Sequence, residues 1–126
     1  MRVVAVSEFT RWFQGLDPWL RAQLNARITY LAKKGTAAEE PFFKPITGSK
    51  YAMGEIRYDH IPGRSDPRPQ QPSVEVHLRV LFIFDTSTDA VMLVGGDKTG
   101  NWSDWYTVNV DRAERLFELY KRQRPH

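Results

Sequence analysis

The sequence contains no cysteine. Without thiols it can form neither a disulfide framework nor a thiolate metal site. The three histidines, His60, His77 and His126, lie far apart in the chain and belong to no HExxH pattern, so no histidine-based zinc site is predicted. A chain without disulfides fits the reducing cytoplasm, so we expect a cytoplasmic protein. Since the metal-ligand patterns are missing as well, we expect it to use no metal, and we expect no small-molecule cofactor.

Long hydrophobic runs are also missing. No stretch approaches the roughly 18 apolar residues typical of a membrane span, and the N-terminal MRVVAVSEFTRWF returns to polar residues too soon for a signal peptide. We therefore expect no membrane partner. Two catalytic motifs are absent as well. Without GxxxxGK[ST] or GxSxG, phosphate-loop nucleotide hydrolysis and serine-elbow hydrolase chemistry have no support.

The length and composition are those of one compact domain, residues 1–126. Hydrophobic residues make up 41% of the chain, enough for one core, and charged residues make up 26%. The formal net charge of +3 and the sequence pI of about 9.3 are mildly basic. This balance permits an anionic partner, such as RNA, DNA or an acidic protein, without requiring one.

The N-terminal third is predicted to form a short strand and a helical hairpin. Residues 3–6 are mostly β-branched, which favours a strand. Ser7 is placed to cap a first helix, Asp17-Pro18 is typical of the start of a second, and Gly35 is placed to end it. Apolar residues follow helical spacing along one face of each helix: Phe9, Trp12, Phe13 and Leu16, then Leu20, Leu24, Ile28 and Leu31.

Loops and one strand are predicted next. Residues 36–50 read as a loop because their prolines and glycine break any regular pattern, and residues 51–60 read as a strand. Residues 61–73 hold four of the eight prolines and are predicted as a second loop. Its two arginines, Arg64 and Arg68, would make it a mobile basic flap at most.

The clearest strand covers residues 74–84, where LRVLFIF is typical of a central strand covered on both faces. A turn at 85–89 and a returning strand at 91–94 make a hairpin, which Gly95-Gly96 should end. A last helix, capped by Asn101 or Ser103, would bury a stripe that runs through Tyr106, Val110, Ala113, Phe117 and Tyr120.

The predicted fold is therefore α+β, with elements in the order β-α-α-β-β-β-α. A small, mainly antiparallel, twisted sheet would carry the helical hairpin at its N-terminal side and the last helix at its C-terminal side.

Polar side chains on the predicted strands are the first candidates for a functional site. Strand side chains alternate, so Glu75, His77 and Arg79 should share one face, and so should Glu55 and Arg57. If the two strands pair, Arg57 and Arg79 converge, and two guanidinium groups aimed at one point suit a phosphate. The alternative is that Arg79 pairs with Glu75 across solvent on an open sheet face.

A second cluster follows the last strand and contains Lys98, Asn101, Trp102, Asp104, Trp105 and Tyr106. Aromatic rings beside cations can stack bases and hold phosphate. The same rings can instead anchor the last helix to the core, which is at least as good an interpretation for Trp105 and Tyr106. Both uses stay open for Trp102, which lies at the helix start.

Two stretches carry a family resemblance: RVLFIF at residues 79–84 and, after a turn, VMLVGGDKTGNW at residues 91–102. They resemble the strand hairpin and glycine–lysine turn of the RelE/HigB superfamily of small bacterial toxins, in particular its phage-related HigB-like branch. GEIR at 54–57 resembles that branch's E-[LI]-R strand, and the helix start at 9–13 is similar as well. The match runs in order over nearly the whole chain.

Membership would imply a toxin that cleaves messenger RNA, usually on the ribosome, without a metal. In that reaction the 2′-hydroxyl attacks the adjacent phosphate, basic residues stabilise the extra charge, and a basic or aromatic group assists proton transfer. The resemblance also implies a neighbouring antitoxin protein, often with a helix-turn-helix. The partners would then be that antitoxin, the messenger RNA and the ribosome.

The resemblance assigns roles to individual residues. Arg57 and Arg79 would hold the scissile phosphate, and Lys98 would stabilise charge. Either Tyr106 or Trp105 falls near the family's C-terminal tyrosine, with the spacing off by about one residue.

Two further assignments do not depend on a family position. His77 would share the face of Arg79 and could transfer a proton near neutral pH. Trp102 would contact the RNA together with Arg64 and Arg68.

Some features depart from the family. The second strand carries one arginine where ribosome-dependent members often carry several basic residues, and the loop at 61–73 is longer than expected. The net charge is also low for an RNA-cutting protein. Two other functions therefore stay open: a toxin of the same fold that binds a protein target, as the gyrase-poisoning ParE relatives do, and a non-catalytic protein that only binds its partner.

Overall fold

Five β-strands and three α-helices are present in the residues that the structure, a computed structural model, describes: 1–39, 43–63, 71–86 and 88–124. In chain order they are β1 (Arg2–Ala5), α1 (Ser7–Gln14), α2 (Pro18–Lys34), β2 (Phe43–Pro45), β3 (Met53–His60), β4 (Val76–Asp85), β5 (Asp89–Asp97) and α3 (Trp102–Gln123). Within those ranges, none of the helices combines the length and the apolar character needed to cross a membrane.

The strands form one sheet in the order β1-β5-β4-β3-β2. The β1–β5 pair is parallel and the other pairs are antiparallel. The predicted α+β fold, with a mainly antiparallel sheet, an N-terminal helical hairpin and a C-terminal helix, is confirmed. One element is added, because β2 lies inside the predicted loop at 36–50. This strand has three residues at the sheet edge, where Pro45 can be tolerated without breaking the ladder.

The helical hairpin begins and ends mostly where the sequence indicates. Asp17 caps α2 by accepting a hydrogen bond of 2.9 Å from the backbone N–H of Trp19. Gly35 ends α2 with a φ of 59°, a conformation that favours glycine. The predicted serine cap of α1 is wrong: Ser7 is the first helical residue, and Val6, whose side chain cannot accept a hydrogen bond, holds the cap position.

Each face of the sheet carries its own hydrophobic core. On one face, α1 and α2 bury Phe9 and Leu24 against the side of β4 that carries Phe82. On the other face, α3 buries Phe117 against the side of β4 that carries Leu81. Because β4 is covered on both sides, nearly every one of its residues is buried, which accounts for its almost continuous apolar run.

The α3 face of the sheet is polar at one end. There the odd-numbered residues of β3 and β4 are Glu55, Arg57, Asp59, His77 and Arg79. The strand register pairs Arg57 with Arg79 and Asp59 with His77, and directly paired residues point to the same face. The predicted sharing of one face by these side chains is therefore confirmed.

Two glycines of β5 allow large rings to approach the sheet. A Cβ on Gly95 would lie 2.2 Å from the ring of Trp12 on the hairpin face, and a Cβ on Gly96 would lie 2.8 Å from Nε1 of Trp105 on the α3 face. The expectation that Gly95-Gly96 ends the strand is wrong, because β5 continues to Asp97. The glycines serve ring packing on opposite faces rather than a turn.

We expect Gly95→Ala to lower the free energy of unfolding by about 1–3 kcal/mol, because an overpacked site forces its neighbours to shift. Gly15→Ala is the matched control, since a Cβ there meets nothing closer than 3.5 Å; its effect should stay within about 1 kcal/mol. Urea unfolding followed by tryptophan fluorescence measures both variants. Equal midpoints for Gly95→Ala and the parent protein would show that the Trp12 ring moves aside without cost.

Candidate active site

A hollow of about 350 Å³ lies on the α3 face of the sheet, against β2, β3, β4 and the first turns of α3. Most of its lining is polar, and four of the lining side chains are cationic: Lys44, Pro45, Ile46, Thr47, Glu55, Arg57, Arg79, Lys98, Tyr106 and Val110. We call it the basic hollow. Four cations around one acid favour an anionic ligand.

Arg57 and Arg79 lie directly opposite one another on β3 and β4 and line the basic hollow together. Like charges directly opposite across a pair of strands are destabilising unless other groups offset them. Two acids on β3, Glu55 and Asp59, flank Arg57 on the same face. The convergence that the sequence predicts is therefore present, with carboxylates beside it.

Arg79 is held in place by several acceptors. It is only 5% exposed, and its Nη1 donates to Oδ1 of Asp59 and to the carbonyl of Leu78, each at 2.8 Å. Burial opposes its charge, but hydrogen bonds with Asp59 and Tyr106 outweigh burial and raise the pKa of the guanidinium. Its Nε has no hydrogen-bond partner among the described residues, so one donor of a buried cation stays available.

His77 lies outside the basic hollow, although it shares the face of Arg79. Its Nδ1 contacts Oδ1 of Asp59 at 2.8 Å and its Nε2 contacts Oε2 of Glu75 at 2.7 Å. Carboxylates only accept, so a neutral imidazole can donate to just one of them. Both ring nitrogens are thus engaged in a chain that runs from Glu75 through Asp59 to Arg79. This geometry orients Arg79 and does not bring His77 to a ligand in the hollow.

Asp59 joins the two halves of that chain. Burial pushes the pKa of its carboxyl upward, but the hydrogen bonds and charges of Arg79 and His77 outweigh burial and leave the pKa below its ordinary value. The open surface pair of Arg79 with Glu75, which the sequence left as an alternative, is not what forms, because Asp59 takes the partner position.

Lys98 enters the basic hollow from the turn after β5. The carboxylate of Asp97 fixes this turn by accepting from the backbone N–H groups of His77 and Thr99, at 2.9 and 3.0 Å. The Lys98 ammonium lies 5.7 Å from the ring centre of Trp102 and 5.1 Å from that of Tyr106. Burial first, and then the charge of Arg79, lower its pKa.

Tyr106, and not Trp105, faces the basic hollow. Trp105 is buried in the α3 core and lies over Gly96. The hydroxyl of Tyr106 hydrogen-bonds with Glu55 and with Arg79; burial and Glu55 together raise its pKa to about 12. A phenol with that pKa is protonated at neutral pH, so it can donate a proton or a hydrogen bond but cannot act as a base.

Trp102 does not line the basic hollow but lies beside Lys98, which does, and it is 48% exposed. Its φ of 38° is one that bulky residues rarely adopt. Its ring meets that of His77 edge-on, with the ring centres 5.0 Å apart. Backbone strain of this kind persists only where the surrounding structure holds it in place.

Two lining residues were missed by the sequence reasoning. Glu55 was recognised only as a neighbour of Arg57, although strand alternation puts both on one face. Lys44 lies on β2, opposite Glu55 in the register, and no signal could have found it because three residues around a proline do not show alternation.

Arg64 and Arg68, which the sequence suggests as RNA contacts, lie outside the described residues. Among residues 1–39, 43–63, 71–86 and 88–124, no group of three or more acidic, histidine or cysteine side chains is arranged to hold a metal ion. The basic hollow itself offers cationic donors, which suit an anion such as a phosphate.

Two curated proteins are similar to nearly the whole chain. A Mycobacterium tuberculosis protein named as toxin HigB3 is 30% identical over 119 residues, which cover 94% of this chain and 91% of the relative. A second one, named as toxin HigB2, is 31% identical over 119 residues, 94% of this chain and 53% of the relative, so the chain spans about half of that protein's length. No protein-family model and no solved structure gives a significant match.

Asp59→Asn should lower stability in a pH-dependent way. A carboxyl whose pKa is depressed by folding stabilises the protein above its ordinary pKa of about 3.9, and loses that effect as the pH falls through the folded value. At pH 7 we expect a loss of about 1–2 kcal/mol, less than for a fully buried pair, because the Asp59 side chain is 47% exposed.

The stability difference between the parent protein and Asp59→Asn should shrink as the pH is lowered from about 5 to 2. Urea midpoints across that range measure it, with Asp111→Asn on the exposed side of α3 as the control. A difference that stays constant down to pH 2 would mean that Asp59 contributes by shape and not by charge.

Proposed function

The chain belongs to the HigB family of toxins, and from this premise we propose that it is the toxin component of a toxin–antitoxin system that cleaves messenger RNA on the ribosome. The single observation that carries the proposal is the pair of guanidinium groups, Arg57 and Arg79, opposite one another on paired strands and lining one hollow with Lys98. Such a cluster suits a phosphate that gains negative charge during a reaction.

The proposed reaction needs only RNA and protein groups. The 2′-oxygen of a nucleotide bonds to the adjacent phosphorus, the bond from phosphorus to the 5′-oxygen breaks, and the products carry a 2′,3′-cyclic phosphate and a 5′-hydroxyl. The extra charge on the phosphate oxygens would be stabilised by Arg57 and Arg79. The Nε–H of Arg79, which has no partner among the described residues, would be a further donor for such an oxygen.

Lys98 is the proposed proton donor to the leaving 5′-oxygen. Its pKa is lowered by burial and by neighbouring cations, and an ammonium with a lowered pKa gives up its proton more readily. Tyr106 remains protonated and holds both Glu55 and Arg79 by hydrogen bonds. His77 acts through Asp59 on Arg79 and not on the RNA.

The exposed ring of Trp102 would stack on a base beside the scissile phosphate. Its neighbour Lys98 lies between Trp102 and Tyr106, so a base on the ring and a phosphate in the basic hollow would be close enough to belong to adjacent nucleotides. Base stacking on an aromatic side chain needs no particular base, which fits a protein whose choice of cleavage site depends on the ribosome.

A cognate antitoxin protein is the proposed partner that keeps the toxin silent, and translation in the cytoplasm is the proposed place of action. Membership of a toxin family supports this pairing. If growth stops while messenger RNA stays intact, the toxin acts instead on a protein target such as gyrase.

Induced expression of the parent protein should stop growth and create new messenger RNA ends, and Lys98→Ala and Arg79→Ala should abolish both effects. We expect cleavage to fall about 10²- to 10³-fold in each variant, because one preorganised charge at the phosphate is lost. Primer extension on a defined message in a reconstituted translation system measures the rate. Arg115→Ala, on the exposed side of α3, is the matched control and should cleave like the parent.

Lys98→Ala is informative even if Arg79→Ala, which removes a partly buried ion pair, fails to fold. Growth arrest that persists in Lys98→Ala, or arrest by the parent without new messenger RNA ends, would contradict the proposed function.

Trp102→Ala should weaken RNA engagement while leaving the chemical step intact. Loss of a stacked base corresponds to about 1–3 kcal/mol, or roughly a 5- to 100-fold higher half-saturating toxin concentration, at an unchanged maximal rate. Trp102→Phe keeps a ring and should retain most of the affinity. If Trp102→Ala and the parent saturate at the same concentration, the ring does not bind a base.

A further inference from the structure

Glu55 is a buried acid among the cations of the basic hollow. It is 4% exposed, lies in the middle of β3 and lines the basic hollow. Its Oε2 has no hydrogen-bond partner among the described residues. Buried carboxylates are costly unless their oxygens are satisfied, so an unpaired acceptor on a residue that lines a cationic hollow suits a ligand that brings a hydrogen-bond donor.

Glu55 lies among the cations of the basic hollow and is linked to one of them through Tyr106. The Tyr106 hydroxyl hydrogen-bonds with both Glu55 and Arg79 and so links the carboxylate to the guanidinium. On the strand register, Lys44 lies opposite Glu55 on one side, and Arg57 is the next residue of β3 on the same face. These cations offset the cost of burying the carboxylate.

We propose that Glu55 is the general base of the cleavage reaction and accepts the proton of the attacking 2′-hydroxyl. This inference rests on the proposed function. The hydroxyl donates to the unpaired Oε2 of Glu55, its oxygen bonds to phosphorus, and its proton stays on the carboxylate. The 5′-oxygen leaves with a proton from Lys98, so the site returns to its starting state when Glu55 passes its proton to solvent and Lys98 regains one.

The geometry separates the two proton-transfer roles. Tyr106 is excluded as the base because a pKa of about 12 keeps its proton on at neutral pH, and His77 is excluded because it does not line the hollow. Glu55 is the one acid lining the basic hollow among the described residues. Tyr106 is then a positioning residue that keeps the carboxylate turned toward the phosphate.

A purely structural role for Glu55, as a counter-ion to Arg57 and Arg79, predicts something different. A counter-ion would affect folding and phosphate binding but would leave the pH dependence of the chemical step unchanged. A general base must lose its own proton before it can act, so the rate rises with pH on the acidic side of the profile.

The test compares Glu55→Gln with the parent and with Glu8→Gln, a matched change at an exposed ion pair with Arg112. Single-turnover cleavage of a defined message is measured at saturating toxin in a reconstituted translation system, from the lowest pH at which the ribosomes stay intact up to pH 8. We expect Glu55→Gln to cleave about 10²- to 10⁴-fold more slowly and to lose the rise in rate with pH. Glu8→Gln should match the parent throughout.

A second variant, Glu55→Ala, guards against a folding defect, with thermal melting of each variant as the check. Formate, a small carboxylate, should restore part of its cleavage in a concentration-dependent way, while chloride at equal ionic strength should not. Glu55→Gln within threefold of the parent, or a parent-like pH profile in that variant, would overturn the assignment. A parent protein that cleaves no message would instead sink the proposed function, which separates the two failures.

Discussion

The guanidinium of Arg79 is the constraint on which the rest of the site depends. It lies in the central strand of the sheet, almost fully buried, and a charge in that position requires partners on the same face. Asp59, Tyr106 and the carbonyl of Leu78 supply them. Because these partners come from β3, β4 and α3, holding one cation joins three of the elements that form the walls of the basic hollow.

The strands that carry the basic hollow are held firmly by packing, yet some polar side-chain atoms of the hollow's lining residues form no hydrogen bond among the described residues. The site lies on β-strands whose opposite faces are packed, so its side chains cannot move far. Yet two buried polar atoms in the hollow, Nε of Arg79 and Oε2 of Glu55, have no partner among the described residues. An unpaired donor and an unpaired acceptor on two lining residues suit an RNA backbone, which offers a phosphate oxygen to the first and a 2′-hydroxyl to the second.

Strand alternation predicted the part of the site that lies on regular strands. Arg57 and Arg79 were expected to converge, and the register confirms that they are cross-strand partners. His77 was expected on the same face and is there. The alternation of side chains along a strand could not show, however, that Asp59 and Glu75 engage both of its ring nitrogens. Lys44 escaped because its strand is too short and too close to a proline to give a pattern.

By itself, the sequence determined the fold class, the two amphipathic helices and the central strand, because hydrophobic periodicity and capping residues act over a few neighbours in the chain. Tertiary structure alone decided which polar side chains meet. Whether Trp105 or Tyr106 faces the basic hollow depended on the orientation of α3 about its own axis, which places the Trp105 ring over Gly96. The partner of Arg79 depended on strand register, since these contacts join residues about 20 or more positions apart and their geometry exists only once the sheet and α3 have packed.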